Sequence, residues 1–127
     1  MVFPFKLMRV NGDSMRPTLN AGELVVVRKG VYARRAPRRT EVVAARPAAC
    51  GGRLVVKRLA GVPHDELALA GRCLRLQADQ FFLLGDRLED STDSRSFGPV
   101  TAQELLGPVA RGVRPWKILE AQENRGG

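Results

Sequence analysis

Short apolar runs rich in β-branched residues, separated by glycine, proline and polar turn residues, constrain the fold of this chain most strongly. They lie at residues 24–27, 41–45, 54–59, 73–77, 81–84 and 109–113. Such runs are typical of β-strands and are too short for most helices. Because only three residues separate the run at 73–77 from the run at 81–84, we predict that these two strands form a hairpin.

The helical signal is confined to residues 101–106. Thr101 can cap a helix, Glu104 stands where a capping box needs an acidic residue, and Gly107 supplies a stop. Many short strands and one short helix or turn near the C-terminus predict an all-β, barrel-like fold. The length fits a single domain, which we assign to residues 1–119, followed by a polar C-terminal tail at 120–127.

The basic charge is concentrated in one stretch. The formal net charge is +8, and six of the twelve residues at 28–39 are Lys or Arg. A solvated, Arg-rich loop is the plainest interpretation, but the charge also favours contact with nucleic acid or an anionic membrane surface. Only Tyr32 in the stretch could stack on a base, so nucleic acid is disfavoured. Phe3 and Phe5 beside Lys and Arg are a candidate contact with anionic lipid.

No apolar run approaches the roughly 18 residues of a membrane span. If Met1 is the natural start, we expect a cytoplasmic or membrane-peripheral protein. If an N-terminal span has been removed, we expect a membrane-anchored protein with an extracytoplasmic active site. Cys50, Cys73 and His64 lack metal-ligand spacing, so we expect no metal and no cofactor, and we interpret both cysteines as reduced apolar fillers.

A first polar segment with chemical potential is NGDSMRPTL, which contains Ser14. Gly12 permits unusual backbone dihedrals and Pro17 restricts the chain that follows, which suits a hydroxyl held on a turn. Taken alone, this pattern also describes an ordinary surface turn.

Lys57 lies within the strand run LVVKRL. Strand alternation places Val55 and Lys57 on one face, and Val56 and Arg58 on the other. If the Val55 face is the inner one, burial lowers the pKa of Lys57 from about 10.4 toward the working pH, as a general base requires. The alternative is an edge-strand lysine that prevents aggregation.

The third segment, FFLLGDRLEDSTDSRSFGPV, follows an apolar strand and is dense in polar residues. Asp93 and Arg95 can form an ion pair, and Ser91 and Ser94 offer hydroxyl groups. Polar loops of this length in small domains are usually functional or disordered.

Together, the three segments resemble those of the type I signal peptidases and their mitochondrial inner-membrane counterparts. The match covers the Ser-Met-x-Pro-Thr-Leu core, the Lys-Arg pair with a following Gly-x-Pro-x-Asp, and the Ser-x-Asp-Ser-Arg-x-Phe-Gly-x-Val signature. They occur in the family's order and span about residues 10–100, most of the chain.

The resemblance implies a role for each matching residue. Ser14 would be the nucleophile, and its backbone N–H would be one oxyanion donor. Lys57 would be the general base, Ser91 would orient that lysine, and Met15 would line the substrate cleft. The residues implied to support the site structurally are Gly85, Asp86, Asp93 and Arg95.

The resemblance also has limits. Arg87 and Leu88 replace the usual Asn-Arg, His64 replaces a loop glycine, and Gly12 stands where some members have an oxyanion-donating serine. The chain is as small as the soluble members, including nickel superoxide dismutase maturation proteases. The second oxyanion donor stays unidentified.

The implied activity is that of a serine endopeptidase that removes an N-terminal signal or pro-segment from a protein or peptide substrate after small residues. We weighed three alternatives. A Ser-His-Asp hydrolase is disfavoured because Ser14 lacks the Gly-x-Ser-x-Gly elbow. A self-cleaving repressor-type Ser-Lys protease usually needs an Ala-Gly site before the serine, which is absent. A non-enzymatic domain that binds nucleic acid or anionic membrane remains open.

Overall fold

The computed structural model describes residues 4–111. Phe3 and the tail predicted at 120–127 lie outside this range. The strand predicted at 109–113 lies partly outside it. Among the helices of the described residues, none has the length and apolar character needed to cross a membrane.

The described residues are built mainly from β-strands, as the apolar runs predict. The strands are β1 (Phe5–Arg9), β2 (Leu24–Arg28), β3 (Val42–Ala45), β4 (Val55–Gly61), β5 (Glu66–Leu69), β6 (Arg72–Arg75), β7 (Phe82–Leu84) and β8 (Leu105–Arg111). Short 3-10 turns cover Val31–Ala33, Ala48–Cys50, Leu88–Asp90 and Ala102–Glu104, and α1 covers Ser94–Phe97. The prediction of an all-β fold is therefore confirmed.

Six strands form one antiparallel sheet in the order β1-β2-β8-β3-β4-β7, and β5 and β6 form a separate hairpin. β8 is the last of the described strands, yet it lies in the middle of the sheet. β1 and β7 are the edges, and the segments that follow them meet. The Arg87 N–H donates to the Ser14 carbonyl at 2.8 Å, and the Thr18 hydroxyl donates to Asp86 at 2.6 Å. These contacts give the open strand order its barrel-like closure.

The apolar core consists of two clusters on either side of β4. Leu59 belongs to the cluster built on β3, β7 and β8, whereas Val56 belongs to the cluster beneath the Ser14 segment. Val56 lies on the face of β4 opposite Lys57, as alternation places it, and the Ser14 segment covers that face. With both sides of β4 covered, Lys57 is only 6% exposed.

The predicted hairpin between 73–77 and 81–84 is wrong. β6 pairs with β5 across the turn at Ala70 and Gly71, and β7 pairs with β4. Both turn residues have positive φ, 48° and 78°, as tight two-residue hairpins require. Phe82 and Leu83 are buried against the main sheet. The burial of these two side chains therefore determines that β7 pairs with β4 and not with β6.

The predicted helix at 101–106 is limited to the 3-10 turn Ala102–Glu104. The capping box forms, with Glu104 accepting from the Thr101 N–H at 2.8 Å. Leu105 then begins β8, because a strand between β2 and β3 satisfies backbone groups on both of its edges.

Neither cysteine is in a disulfide, but their surroundings differ. Cys50 is partly buried, whereas Cys73 is exposed on β6, so the interpretation of Cys73 as a core filler is wrong. Apart from Arg28, which ends β2, the stretch 28–39 is a largely exposed loop with one 3-10 turn.

Candidate active site

Ser14 lies on a turn between β1 and β2 that is held at several points. Its carbonyl accepts from the Arg87 N–H, and the turn is tightened by a hydrogen bond from Arg16 N–H to the Asp13 carbonyl at 3.1 Å. Met15 and Leu19 anchor the segment in the core, with exposures of 1% and 2%. The Ser14 side chain is therefore presented from a fixed backbone.

Lys57 brings a buried amine to this hydroxyl. Its Nζ lies 2.9 Å from Ser14 Oγ and 3.2 Å from Ser91 Oγ. These three side chains come from segments far apart in the sequence, and the fold brings both hydroxyl groups within hydrogen-bond distance of the Lys57 amine.

The surroundings of Lys57 favour its neutral form. Burial lowers the pKa of Lys57 from its ordinary value, because the charged ammonium loses its hydration. The negative charge of Asp93 partly offsets this, while the positive charge of Arg95 lowers the pKa further. A neutral amine 2.9 Å from a hydroxyl can accept its proton.

Asp93 and Arg95 form the predicted ion pair, in bidentate geometry, with distances of 2.9 Å and 3.0 Å. Asp93 is completely buried and also accepts from the Gly85 N–H at 3.0 Å and from the Ser91 hydroxyl. Burial alone would raise the pKa of Asp93, but the hydrogen bonds from Arg95, Gly85 and Ser91 outweigh it and hold the pKa below its usual value. The Asp93 carboxylate therefore holds the Gly85 backbone and the Ser91 side chain in fixed positions.

Asp86 organises a second network on the other side of the site. Its carboxylate accepts hydrogen bonds from the Arg58 guanidinium at 2.6 Å and 3.1 Å and from the Thr18 hydroxyl at 2.6 Å. Arg58 also donates to the Thr18 hydroxyl at 3.3 Å. The network joins the Ser14 segment, the Lys57 strand and the segment after β7. Because Arg58 holds it, the pKa of the Asp86 carboxyl lies below its ordinary value even though burial opposes the shift.

Gly85 lies directly against Ser91 and the backbone of Ser14. A Cβ built at this position would collide with Ser91 Oγ, would lie 2.5 Å from Ser91 Cβ and would lie 2.8 Å from the Ser14 carbonyl oxygen. The absence of a side chain at Gly85 is therefore what allows Ser14 and Ser91 to approach each other.

A cleft of about 250 Å³ opens beside Ser14 and Lys57. Residues 10–15 and 53–57 form its long walls, and Cys50 and Thr92 complete it. Met15, which the resemblance places along the cleft, borders it, but its side chain is buried in the core. The Met15 side chain therefore packs in the core behind the cleft and is not an exposed part of its lining.

Thr18, Arg58, Cys50 and Thr92 are site residues that the sequence patterns did not single out. Alternation places Arg58 on the opposite face of β4 from Lys57. Local periodicity does not indicate that Asp86, across the fold, is its partner. The position of His64 has a simple backbone explanation. Its φ is 74°, in the left-handed region where the resembling family has glycine.

Comparison with known proteins identifies similar chains over nearly all of the described range. A family model described as "Signal peptidase, peptidase S26" matches residues 1–77 and 65–113. The chain is 34% identical over 118 residues to mitochondrial inner membrane protease subunit 1 of Schizosaccharomyces pombe, covering 87% of this chain and 74% of that protein.

Two bacterial proteins are also similar. Identity to the probable signal peptidase I-2 of Synechocystis is 28% over 137 residues, with 86% of this chain and 62% of that protein covered. Identity to signal peptidase I of Leptolyngbya laminosa is 25% over 139 residues, with 86% of this chain and 68% of that protein covered.

Proposed function

Because the chain belongs to the signal peptidase family, peptidase S26, and is a serine endopeptidase of that family, we propose that Ser14 and Lys57 are its catalytic dyad. The observation that carries the proposal is the buried Lys57 amine at 2.9 Å from Ser14 Oγ, with its pKa lowered by burial. Ser91, at 3.2 Å from the same amine, holds Lys57 in position.

The reaction proceeds through an acyl-enzyme. Neutral Lys57 takes the Ser14 hydroxyl proton as Oγ attacks the scissile carbonyl carbon. The tetrahedral intermediate collapses, the C–N bond breaks, and the ammonium of Lys57 returns the proton to the leaving amine. Lys57 then removes a proton from a water molecule, which attacks the ester carbon. The C–Oγ bond breaks, the new carboxyl group is released, and the Lys57 ammonium returns the proton to Ser14 Oγ.

The Ser14 backbone N–H is a suitable donor for the oxyanion. Within residues 4–111, no acceptor is paired with this N–H, so it is available to a developing negative charge in the cleft. Removing one such donor in other enzymes costs about 2.7–4 kcal/mol of transition-state stabilisation.

The substrate we propose is an extended N-terminal signal or pro-segment with small, alanine-like residues at the first and third positions before the cut. The cleft runs between the Ser14 turn and residues 53–57, which lead into β4, and this strand wall favours an extended substrate that lies along it as an added strand. Large side chains at these positions would have to displace wall residues that also belong to the core, such as Val10 and Val56.

A matched set of peptides tests this proposal. A peptide with Ala at the first and third positions should be cleaved once, after the first, as measured by mass spectrometry of the products. Replacing either Ala by Leu should lower kcat/KM by about 10²-fold or more, a loss at the upper end of what pocket discrimination gives. Ser14→Ala protein is the control for contaminating peptidases. Equal cleavage of the Ala and Leu peptides would contradict the proposed specificity.

Gly85→Ala is expected to lower kcat by about 10²-fold, because the added methyl group displaces Ser91 and the Ser14 backbone by a fraction of an ångström to an ångström. Steady-state kinetics at one pH measure the effect. Gly61→Ala is the control, since its Cβ would meet the flexible ends of Leu76 and Leu67 away from the dyad. If both variants lose activity in proportion to lost stability, Gly85 has no special relation to the site.

Alkylation of Cys50 with N-ethylmaleimide is expected to abolish most of the activity by filling the cleft beside Ser14. Peptidase assays before and after treatment measure the loss, and mass spectrometry locates the adduct. Cys73→Ser should leave the inhibition unchanged, whereas Cys50→Ser should remove it. Inhibition that follows Cys73, which lies on β6, would mean that the cleft is misassigned.

A further inference from the structure

A second concavity lies at the end of the β1–β2 hairpin that is remote from Ser14. It has a volume of about 270 Å³. Phe5 and Val31 form apolar walls, and Arg28, Lys29 and Arg34 surround it with positive charge. In the β1–β2 register Phe5 pairs with Arg28, whereas the Ser14 segment follows the other end of β1. This concavity is therefore separate from the cleft.

The three cations have no acidic partner within residues 4–111. Other arginines of the same basic stretch are neutralised. Arg35 pairs with Glu41 at 2.6 Å, and Arg39 pairs with Asp65 at 2.7 Å. Unpaired cations that converge on one concavity create a positive potential that attracts an anion.

The surface around the concavity favours a lipid over nucleic acid. Leu7 is 41% exposed and lies on the same face of β1 as Phe5, so apolar and cationic groups share this face. Such a mixture is typical of surfaces that rest in the headgroup region of a membrane. Tyr32 cannot serve as a free stacking platform, because its hydroxyl bonds Glu41 and its ring lies 5.5 Å from the Arg35 guanidinium.

We propose that this concavity, lined by Arg28, Lys29 and Arg34 beside Phe5, binds the phosphate-bearing headgroup of an anionic lipid surface. The site does not use the proposed dyad. It would orient the domain with the open end of the β1–β2 pair, where Phe5 lies opposite Arg28, against the membrane. The cleft would then stand roughly 14 Å from the headgroups, since four residue-to-residue steps of about 3.4 Å lead along β1 from Phe5 to Arg9.

Co-sedimentation with vesicles tests the proposal. The protein should bind vesicles of phosphatidylcholine with one third phosphatidylglycerol and should not bind pure phosphatidylcholine. The triple variant Arg28→Gln, Lys29→Gln, Arg34→Gln should bind about 100-fold more weakly, because each cation near an anionic surface contributes roughly a fivefold gain. The matched control removes the same charge elsewhere, by Arg38→Gln, Arg72→Gln and Arg75→Gln, and should lose less than about threefold.

Several results would overturn the proposal. Equal losses of vesicle affinity in the two triple variants would mean that the overall positive charge attracts the protein to the vesicles without a specific site. Failure of the unaltered protein to bind anionic vesicles would also overturn it. If inorganic phosphate at matched ionic strength, or a single-stranded oligonucleotide, binds at these residues while vesicles do not, the ligand is not a lipid surface. The triple variant should cleave a soluble peptide at the normal rate, so this test is independent of the dyad.

Discussion

Ser14→Ala and Lys57→Met are each expected to lower kcat by about 10⁴-fold or more while the fold is retained. Ser14→Ala removes the atom that becomes acylated. Lys57→Met keeps the length of the side chain but removes the proton acceptor at 2.9 Å from Ser14 Oγ. Because the two groups act as a unit, the double variant should be no worse than either single one. Steady-state and single-turnover kinetics with a cleavable peptide measure these losses.

Stability measurements separate this prediction from simple unfolding. Lys57 is 6% exposed and has a lowered pKa, so an apolar side chain of similar length should leave the free energy of unfolding unchanged or raise it. Lys29→Met is the matched lysine control and should retain kcat within about twofold, since surface substitutions are usually close to neutral. A fully folded Lys57→Met variant with near-normal kcat would exclude Lys57 as the base.

The pH dependence of Asp93→Asn carries the second large prediction. For the unaltered protein, kcat/KM should rise with pH as Lys57 loses its proton, with a midpoint below the ordinary lysine pKa, because burial disfavours the ammonium. The negative charge of Asp93 raises the pKa of Lys57. Removing that charge should therefore move the midpoint to lower pH. Arg95→Gln removes a charge that lowers the same pKa and should move the midpoint to higher pH.

Asp93→Asn should also lower the free energy of unfolding by about 3 kcal/mol or more. The completely buried carboxylate accepts hydrogen bonds from Arg95, Gly85 and Ser91, and an amide cannot accept them all. Glu89→Gln is the control, because its pair with Arg87 is solvent-exposed, with Glu89 74% exposed, and the loss should be about 1 kcal/mol or less. Denaturant titration gives the stabilities. A midpoint that moves to higher pH in Asp93→Asn would contradict the assigned sign.

The candidate dyad could be proposed from the sequence because three segments in the family's order resemble one family, whereas each segment alone has an ordinary explanation. A serine on a Gly- and Pro-bounded turn and a lysine after three apolar strand residues are visible without a fold. The burial of Lys57 needed one more condition, the covering of both faces of β4, which periodicity does not reveal. Alternation separates the Val56 face from the Lys57 face, but it does not show that the Ser14 segment packs on Val56.

Strand partners were the least predictable part of the fold. The patterns at 73–77 and 81–84 indicate strands, but short sequence separation suggested the wrong pairing. Burial of Phe82 and Leu83 against β4 outweighs the gain from a local hairpin. The Thr18, Arg58 and Asp86 network was equally hidden, because ion pairs and hydrogen bonds between distant segments leave no periodic mark.

The central place of β8 has a consequence for the order in which this domain is made. β8 enters between β2 and β3, so two halves of the sheet stay unjoined until residues 105–111 have left the ribosome. Domains generally fold as units during synthesis. A nascent chain that lacks β8 therefore holds the Ser14 and Lys57 segments together only through contacts outside the sheet, such as the Thr18, Arg58 and Asp86 network. We expect peptidase activity to appear only once β8 has joined the two halves of the sheet.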